Sequence, residues 1–265
     1  MIERIEISKE AKEQLVNQIK KFCGNKPLVY LKFTTCQKYA NDIVNGKLYA
    51  NTAKYFREQE LKTGQRGQGD QFELENNIDI NEFTMTDFET GQVISEGKGG
   101  TLTIRYTDDD KLPLVSFVGV PLEEMDLFYA DKEHAKFLFP FSDEEFDKMA
   151  SKFGKYCVII DGRELEEKIN KYANENHCEY IFDKVNYCLQ NTLDRIMSFQ
   201  SGRKERFLYK NKDLEYQREY RLALAHTLPD DHYINIGKLD KASIVESENL
   251  KTIGYTIYYD SYEQL

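Results

Sequence analysis

The sequence predicts an α+β fold: a single mixed domain over residues 1–265 whose central, largely antiparallel sheet is flanked by helices. Three observations predict it. Helix-period and strand-period segments both recur along the chain, and hairpin signals crowd into residues 83–119. No repeat, low-complexity tract or Pro-rich linker divides the 265 residues, a length ample for one sizeable core.

Ser8 is the expected N-cap of a helix over residues 8–23, where Ala11, Leu15, Ile19 and Phe22 recur at helical spacing before Gly24. Residues 1–26 can thus form a helical N-terminal extension. Leu28 to Thr34 is a strand, Thr35 caps a short helix carrying Tyr39, Ala40 and Ile43 that Gly46 ends, and Lys47 to Asn51 is the next strand. Tyr55-Phe56-Arg57 leads into a polar loop, residues 60–73, containing Gly64, Gly67 and Gly69. Such a loop is a surface connection or carries ligand contacts; it lacks the Gly-Lys-Ser/Thr ending of a P-loop. Residues 83–119 read as hairpins followed by a buried strand, LPLVSFVGV, and residues 125–141 carry no clear pattern. Ser142 and Glu145 form a capping box for a helix through Phe153. A buried strand follows at 156–160, a helix at 162–176, an extended segment at 180–187 and a helix at 189–199. Short strands close the chain near 232–236, 242–246 and 253–259.

A net charge of −10 opposes non-specific phosphate binding and excludes a general nucleic-acid coat. Arg203, Lys204, Arg206, Lys210 and Lys212 form a local basic run, read first as a solvated connection and alternatively as an anchor for substrate phosphates. The five cysteines and four histidines show no ligand spacing, so neither a disulfide framework nor a metal site is expected. No apolar run approaches the ~18 residues of a membrane span, and the charged start is unlike a signal peptide. A cytoplasmic protein without membrane partners is expected.

The stretch around which function is organised is Phe207 to Ala225. It reads as a charged loop entering a strand, with alternation from Glu219 to Leu224 that predicts one buried and one open face. Gln217, two residues before Glu219, is expected on the same face.

Gly46, Asp70, Phe72, Glu73, Tyr216, Glu219 and Arg221 resemble the pattern of an uncharacterised bacterial family known only as a domain of unknown function, with Gly69 and Gln71 departing from its usual Asn-Asp-Pro lead. The same regions resemble the ADP-ribosyltransferase superfamily, which ends on a Gln-x-Glu or Glu-x-Glu strand matched here by Gln217-x-Glu219. Ala50-Asn51-Thr52 falls where that superfamily places its polar middle element, and Tyr30 and Lys32 occupy the strand that should hold Arg or His. The resemblance implies an ADP-ribosyltransferase-like fold and NAD as substrate. It implies Glu219 and Gln217 as catalytic residues, and Tyr30, Lys32, Asn51, Thr52, Tyr55, Arg57 and Arg66 as the NAD-binding set. A fixed carboxylate suits this chemistry because cleaving nicotinamide from ribose passes through an oxocarbenium-like transition state. Tyr55 or Phe56 would stack on nicotinamide, and Arg57 or Arg66 would grip the diphosphate.

The function expected is thus an NAD-dependent ADP-ribosyltransferase or NAD glycohydrolase, a toxin or phage-conflict effector with a protein or nucleic-acid acceptor. Two alternatives stand beside it. One is a non-enzymatic acidic protein that binds a host or phage partner, with Glu219 and Arg221 an ordinary surface ion pair. The other is a nuclease in which Asp70 and Glu73 hold a divalent cation.

Overall fold

In the computed structural model, which describes residues 9–23, 26–131 and 133–258, the chain builds a seven-stranded antiparallel sheet. Its strands in chain order are β1 (Val29–Thr34), β2 (Asn51–Thr52), β3 (Pro113–Val120), β4 (Tyr156–Asp161), β5 (Tyr180–Lys184), β6 (Glu219–Leu224) and β7 (Ala242–Glu246). The spatial order is β5-β6-β3-β1-β4-β7, with β2 added to β3. Successive residues of β1 serve opposite cores, as the strand period of two requires. Val29 and Leu31 join one cluster and Tyr30 the other.

Helices cover both faces. On the Tyr30 side, α2 (Gln37–Val44) contributes Ala40 and Ile43, and α5 (Gly162–Glu175) contributes Leu165 and Ile169, against Val158 and Ile160 of β4. On the other side, α1 (Lys9–Cys23) contributes Leu15 and Val16, and α4 (Asp143–Phe153) contributes Phe146 and Met149. Leu15 and Val16 of the first helix are thus buried in this core, and Lys20 pairs with Glu123 at 3.0 Å. Ser8, Gly24 and the side chains of Ala11, Ile19 and Phe22 lie outside the described residues. The α4 capping box forms as expected, Ser142 and Glu145 each accepting from the other's backbone N–H.

Several local expectations change. The N-cap of α2 is Cys36, one residue past Thr35, and its side chain makes no capping bond. The polar loop begins later than its composition implied, because α3 (Ala53–Thr63) takes in Tyr55–Arg57 and residues 60–63. Glu, Gln, Leu and Lys propagate a helix well, and it stops where Gly64 adopts φ 66°. The unpatterned residues 125–141 contain strands Asp126–Ala130 and His134–Leu138, which pair with Gly254–Tyr258 in a separate small sheet. Finally, all six residues of β6 are buried, so the strand has no open face. Its polar side is filled by ion pairs instead of water.

One feature projects from this body. Strands Asn76–Asp79 and Thr101–Ile104 pair, and beyond them Glu82–Thr86 pairs with Val93–Lys98, forming an antiparallel arm. The two legs of the arm emerge from the segments that border the cleft described next.

Candidate functional site

The cleft opens where β1 and β3 part. Their register runs only from Val29 opposite Val120 to Leu31 opposite Val118, and β2 joins β3 again at Leu114 and Pro113. Between these two pairings, Val115, Ser116 and Phe117 line a cavity of about 360 Å³. The far wall is the loop Gly67–Asp70 with Glu73. Gly69 lets that loop lie directly on α3, since a Cβ there would fall 2.4 Å from the Glu60 nitrogen. Asp70 N–H donates to the Phe56 carbonyl at 3.1 Å and secures the contact.

A dense charge network forms the floor. Glu219 Oε1 accepts from Ser116 Oγ at 2.6 Å and from Arg221 Nε at 2.8 Å, while Oε2 accepts from Lys210 Nζ at 2.7 Å. Arg221 reaches onward to Glu73 through two bonds, at 2.7 and 3.1 Å, and donates to the Phe207 carbonyl at 2.9 Å. Bidentate pairing of this kind fixes a guanidinium in plane as well as in charge. Lys210 Nζ also donates to Gln217 Oε1 at 3.0 Å, and Gln217 Nε2 donates to the Gly67 carbonyl at 2.9 Å. The amide therefore ties the network to the loop.

Burial pushes the Glu219 carboxyl up, but Arg221 and then Lys210, with hydrogen bonds from Lys210 and Ser116, outweigh it and hold it well below the usual carboxylate range. Burial pushes Glu73 up, against the pull of Arg221 and Lys210. Lys32 is pushed down to about 8 by burial, with Glu219 opposing; its Nζ donates to the Ser116 carbonyl at 2.5 Å. Four cations face three carboxylates around the cavity: Lys32, Lys152, Lys210 and Arg221 against Asp70, Glu73 and Glu219. On a chain of net charge −10, this pocket is a locally cationic place.

Of the nine residues singled out from the sequence, Glu219, Gln217, Lys32 and Asn51 line the cleft. Gln217 arrives there by another route than strand alternation. It ends a 3₁₀ turn, Lys212–Gln217, and Arg218 at φ 44° separates it from β6. Tyr30 lies in the core on the opposite face, with its hydroxyl donating to Glu166 at 3.0 Å. The Thr52 hydroxyl caps α3 by accepting from Tyr55 N–H. Tyr55 is exposed to solvent, and its neighbour Phe56 is the one that borders the cavity. Arg57 is held by Asp110, the Glu73 carbonyl and Glu75, and Arg66 by Asp213 and Glu60, so neither guanidinium faces the cleft. Among the basic run, only Lys210 enters the site; Arg206 instead pairs with Asp109.

Ser116, Lys210 and Lys152 complete the site without having been singled out for these roles. Ser116 did leave a signal, being the sole hydroxyl in the apolar run LPLVSFVGV, where a buried hydroxyl needs a partner. Lys152 lies at the end of α4 and donates to the Arg66 carbonyl and the Tyr216 hydroxyl, each at 3.1 Å. No sequence spacing connects it to Glu219. Among the described residues, no group of three or more His, Cys, Asp or Glu side chains is placed to hold a metal ion, and no helix is long and apolar enough to cross a membrane.

Compared with known families, curated proteins and solved structures, the chain finds no match.

Proposed function

We propose that the chain consumes NAD, as an ADP-ribosyltransferase or NAD glycohydrolase, with Glu219 facing the ribose. The observation that supports this best is the coordination of Glu219. An ionised carboxylate offers about four acceptor positions. Ser116, Arg221 and Lys210 occupy three, leaving one on Oε2 at the cleft floor for a ribose hydroxyl. The carboxylate is thus ionised and rigidly held, with one position to give.

In this reading the bond between nicotinamide nitrogen and ribose C1′ breaks with its electron pair leaving on nitrogen. The negative charge of Glu219 offsets the positive charge that develops on the sugar. Water or an acceptor nucleophile then closes on C1′ and releases its proton to solvent. Gln217 acts by position, holding Lys210 and the Gly67 carbonyl together. The phosphates fall to Lys32 and Lys152, since Arg57 and Arg66 are already engaged by carboxylates.

A nuclease centred on Asp70 and Glu73 is not supported, because both Glu73 carboxylate oxygens are bonded to Arg221. The acidic-interaction reading draws some support from the projecting arm, whose apolar side chains Phe83, Met85, Phe88 and Ile94 are exposed.

The test is release of free nicotinamide from NAD, with and without a cell lysate as source of acceptor. Wild-type protein is expected to release it, and folded Glu219→Gln to lose at least about 100-fold in rate, as for removal of one strong electrostatic contact. Asn51→Ala breaks no ion pair and serves as the second variant should Glu219→Gln unfold. Wild-type protein that leaves NAD intact, or a folded Glu219→Gln with undiminished turnover, would sink the reading.

A further inference from the structure

Two lysines line the cleft in opposite chemical states. Lys210 Nζ donates to Glu219 at 2.7 Å and to the Gln217 amide oxygen at 3.0 Å. Burial pushes its pKa down, but Glu219 and then Glu73 outweigh burial and raise it, so its proton is firmly held. Lys32 is the first residue of β1 beyond the pairing with β3, and among the described residues no carboxylate pairs with it. Its Nζ donates to the Ser116 carbonyl at 2.5 Å and lies 5.2 Å from the centre of the Phe117 ring, both uncharged partners. Burial, with Glu219 opposing, brings its pKa down to about 8.

Environments that drive two like groups apart give them different chemical roles. A buried lysine without a counter-charge is a nucleophile suited to carbonyl carbon. The neutral amine still donates to the Ser116 carbonyl through one N–H, which leaves its lone pair for an electrophile. The same cavity carries an anion anchor. Lys152 donates to the Arg66 carbonyl and the Tyr216 hydroxyl, each at 3.1 Å, so one of its three N–H groups is uncommitted. Phe56, Val115, Phe117 and Phe153 supply an apolar wall. A ligand that meets all three features has a carbonyl for Lys32, a carboxylate for Lys152 and an apolar body.

We propose that the cleft captures 2-oxo acids with apolar side chains as Schiff bases of Lys32, their carboxylate resting on Lys152. Lys32 Nζ adds to the carbonyl carbon, and a proton passes from nitrogen to the former carbonyl oxygen. The carbon–oxygen bond then breaks with release of water, leaving a carbon–nitrogen double bond. The Glu219 carboxylate, whose field reaches Lys32, offsets the positive charge of the protonated imine. Capture requires no dinucleotide, so it stands apart from the NAD reading.

Three probes separate the elements: phenylpyruvate, phenylacetone, which lacks the carboxylate, and phenyllactate, which lacks the carbonyl. Each is incubated with the full chain and sodium cyanoborohydride, whose hydride converts the imine to a stable secondary amine. Intact mass and peptide mapping then locate and time the label. Phenylpyruvate is expected to label Lys32 on the order of 100-fold faster than the exposed Lys62 and Lys171, from its larger neutral fraction. It should also outpace phenylacetone about tenfold, the worth of one charged hydrogen bond, while phenyllactate gives no label. Lys152→Gln should bring the ratio of the two reactive probes near unity, and Lys32→Met should lose the fast label altogether. Mapping of the wild type identifies the reacting lysine even if Lys32→Met does not fold. Absence of label, or label spread at similar rates over Lys32, Lys62 and Lys171, overturns the capture site. Equal rates for phenylpyruvate and phenylacetone, or an acid preference that survives Lys152→Gln, overturn the assignment of oxo acids.

Discussion

Lys32 shows how one residue can be placed correctly by sequence and still behave in a way that only the fold explains. Strand alternation puts it on β1, but the parting of β1 from β3 brings its ammonium to the Ser116 carbonyl and into the field of Glu219. Burial lowers its pKa from 10.5 to about 8, and this has two consequences of opposite sign. Between those values the unfolded chain holds a proton that the folded chain has released, so this residue's contribution to stability rises with pH. Below pH 8 both states are protonated and the contribution is flat. Denaturation of wild type and Lys32→Met across pH 7 to 10.5 should show their difference shifting towards wild type above pH 8. Affinity for an anionic ligand should fall over the same interval as the charge is lost, and remain uniformly low in Lys32→Met. A difference independent of pH would mean that Lys32 titrates at its ordinary value. Glu219 and Asn51 were similarly visible in the sequence by type and place. The partners that define them were not: Ser116 lies 103 residues from Glu219, and His232 lies 181 residues from Asn51.

At the scale of elements, β6 corrects the most instructive expectation. Glu219, Arg221 and Ala223 alternate with Tyr220, Leu222 and Leu224, the pattern of a half-exposed strand. The structure buries both faces, because Glu73, Lys210 and the Gly67–Asp70 loop cover the polar one. Alternation reports polarity, and a face satisfied by counter-charges reads the same as a face satisfied by water. The α4 capping box was legible because it depends on residues within one turn. The loop's seat on α3 depends instead on a single close approach at Gly69. Gly69→Ala would press a methyl group to 2.4 Å from the Glu60 nitrogen and 2.6 Å from the Phe56 carbonyl, both backbone atoms that cannot rotate away. The loop must lift, weakening the Asp70 bond to Phe56. Urea denaturation should report a loss of about 1–3 kcal/mol, the usual range for overpacking. A loss below about 0.5 kcal/mol, typical of surface changes, would show that the loop does not depend on this seat.

For the whole molecule, the α+β class was legible because segment periodicities are local, whereas the sheet order β5-β6-β3-β1-β4-β7 arises from pairings that no periodicity encodes. The arm from residue 76 to 104 stands apart from that sheet. From Glu82 to Lys98 every residue except Asp87 and Gly97 is exposed, and Phe88 at the tip is fully so. Such a ribbon buries almost no apolar area, so it contributes little to the stability of the body. Its removal is also geometrically simple. Gly99 N–H donates to the Asn81 carbonyl at 2.7 Å and Ile80 N–H to the Gly100 carbonyl at 2.9 Å, so the two legs are already joined at the point of excision. Deleting residues 82–98 leaves Asn81-Gly99 as a two-residue connection, the pair that a tight hairpin turn favours, with Gly99 already at φ 73°. The shortened protein should unfold within about 2 °C of wild type, consistent with a surface-sized change. It should also keep whatever NAD turnover the wild type shows, because no residue of the excised segment lines that cavity. A marked fall in the melting temperature would show instead that the arm supports the Asn76–Asp79 pairing from which it springs, and through it the Glu73 wall of the cleft.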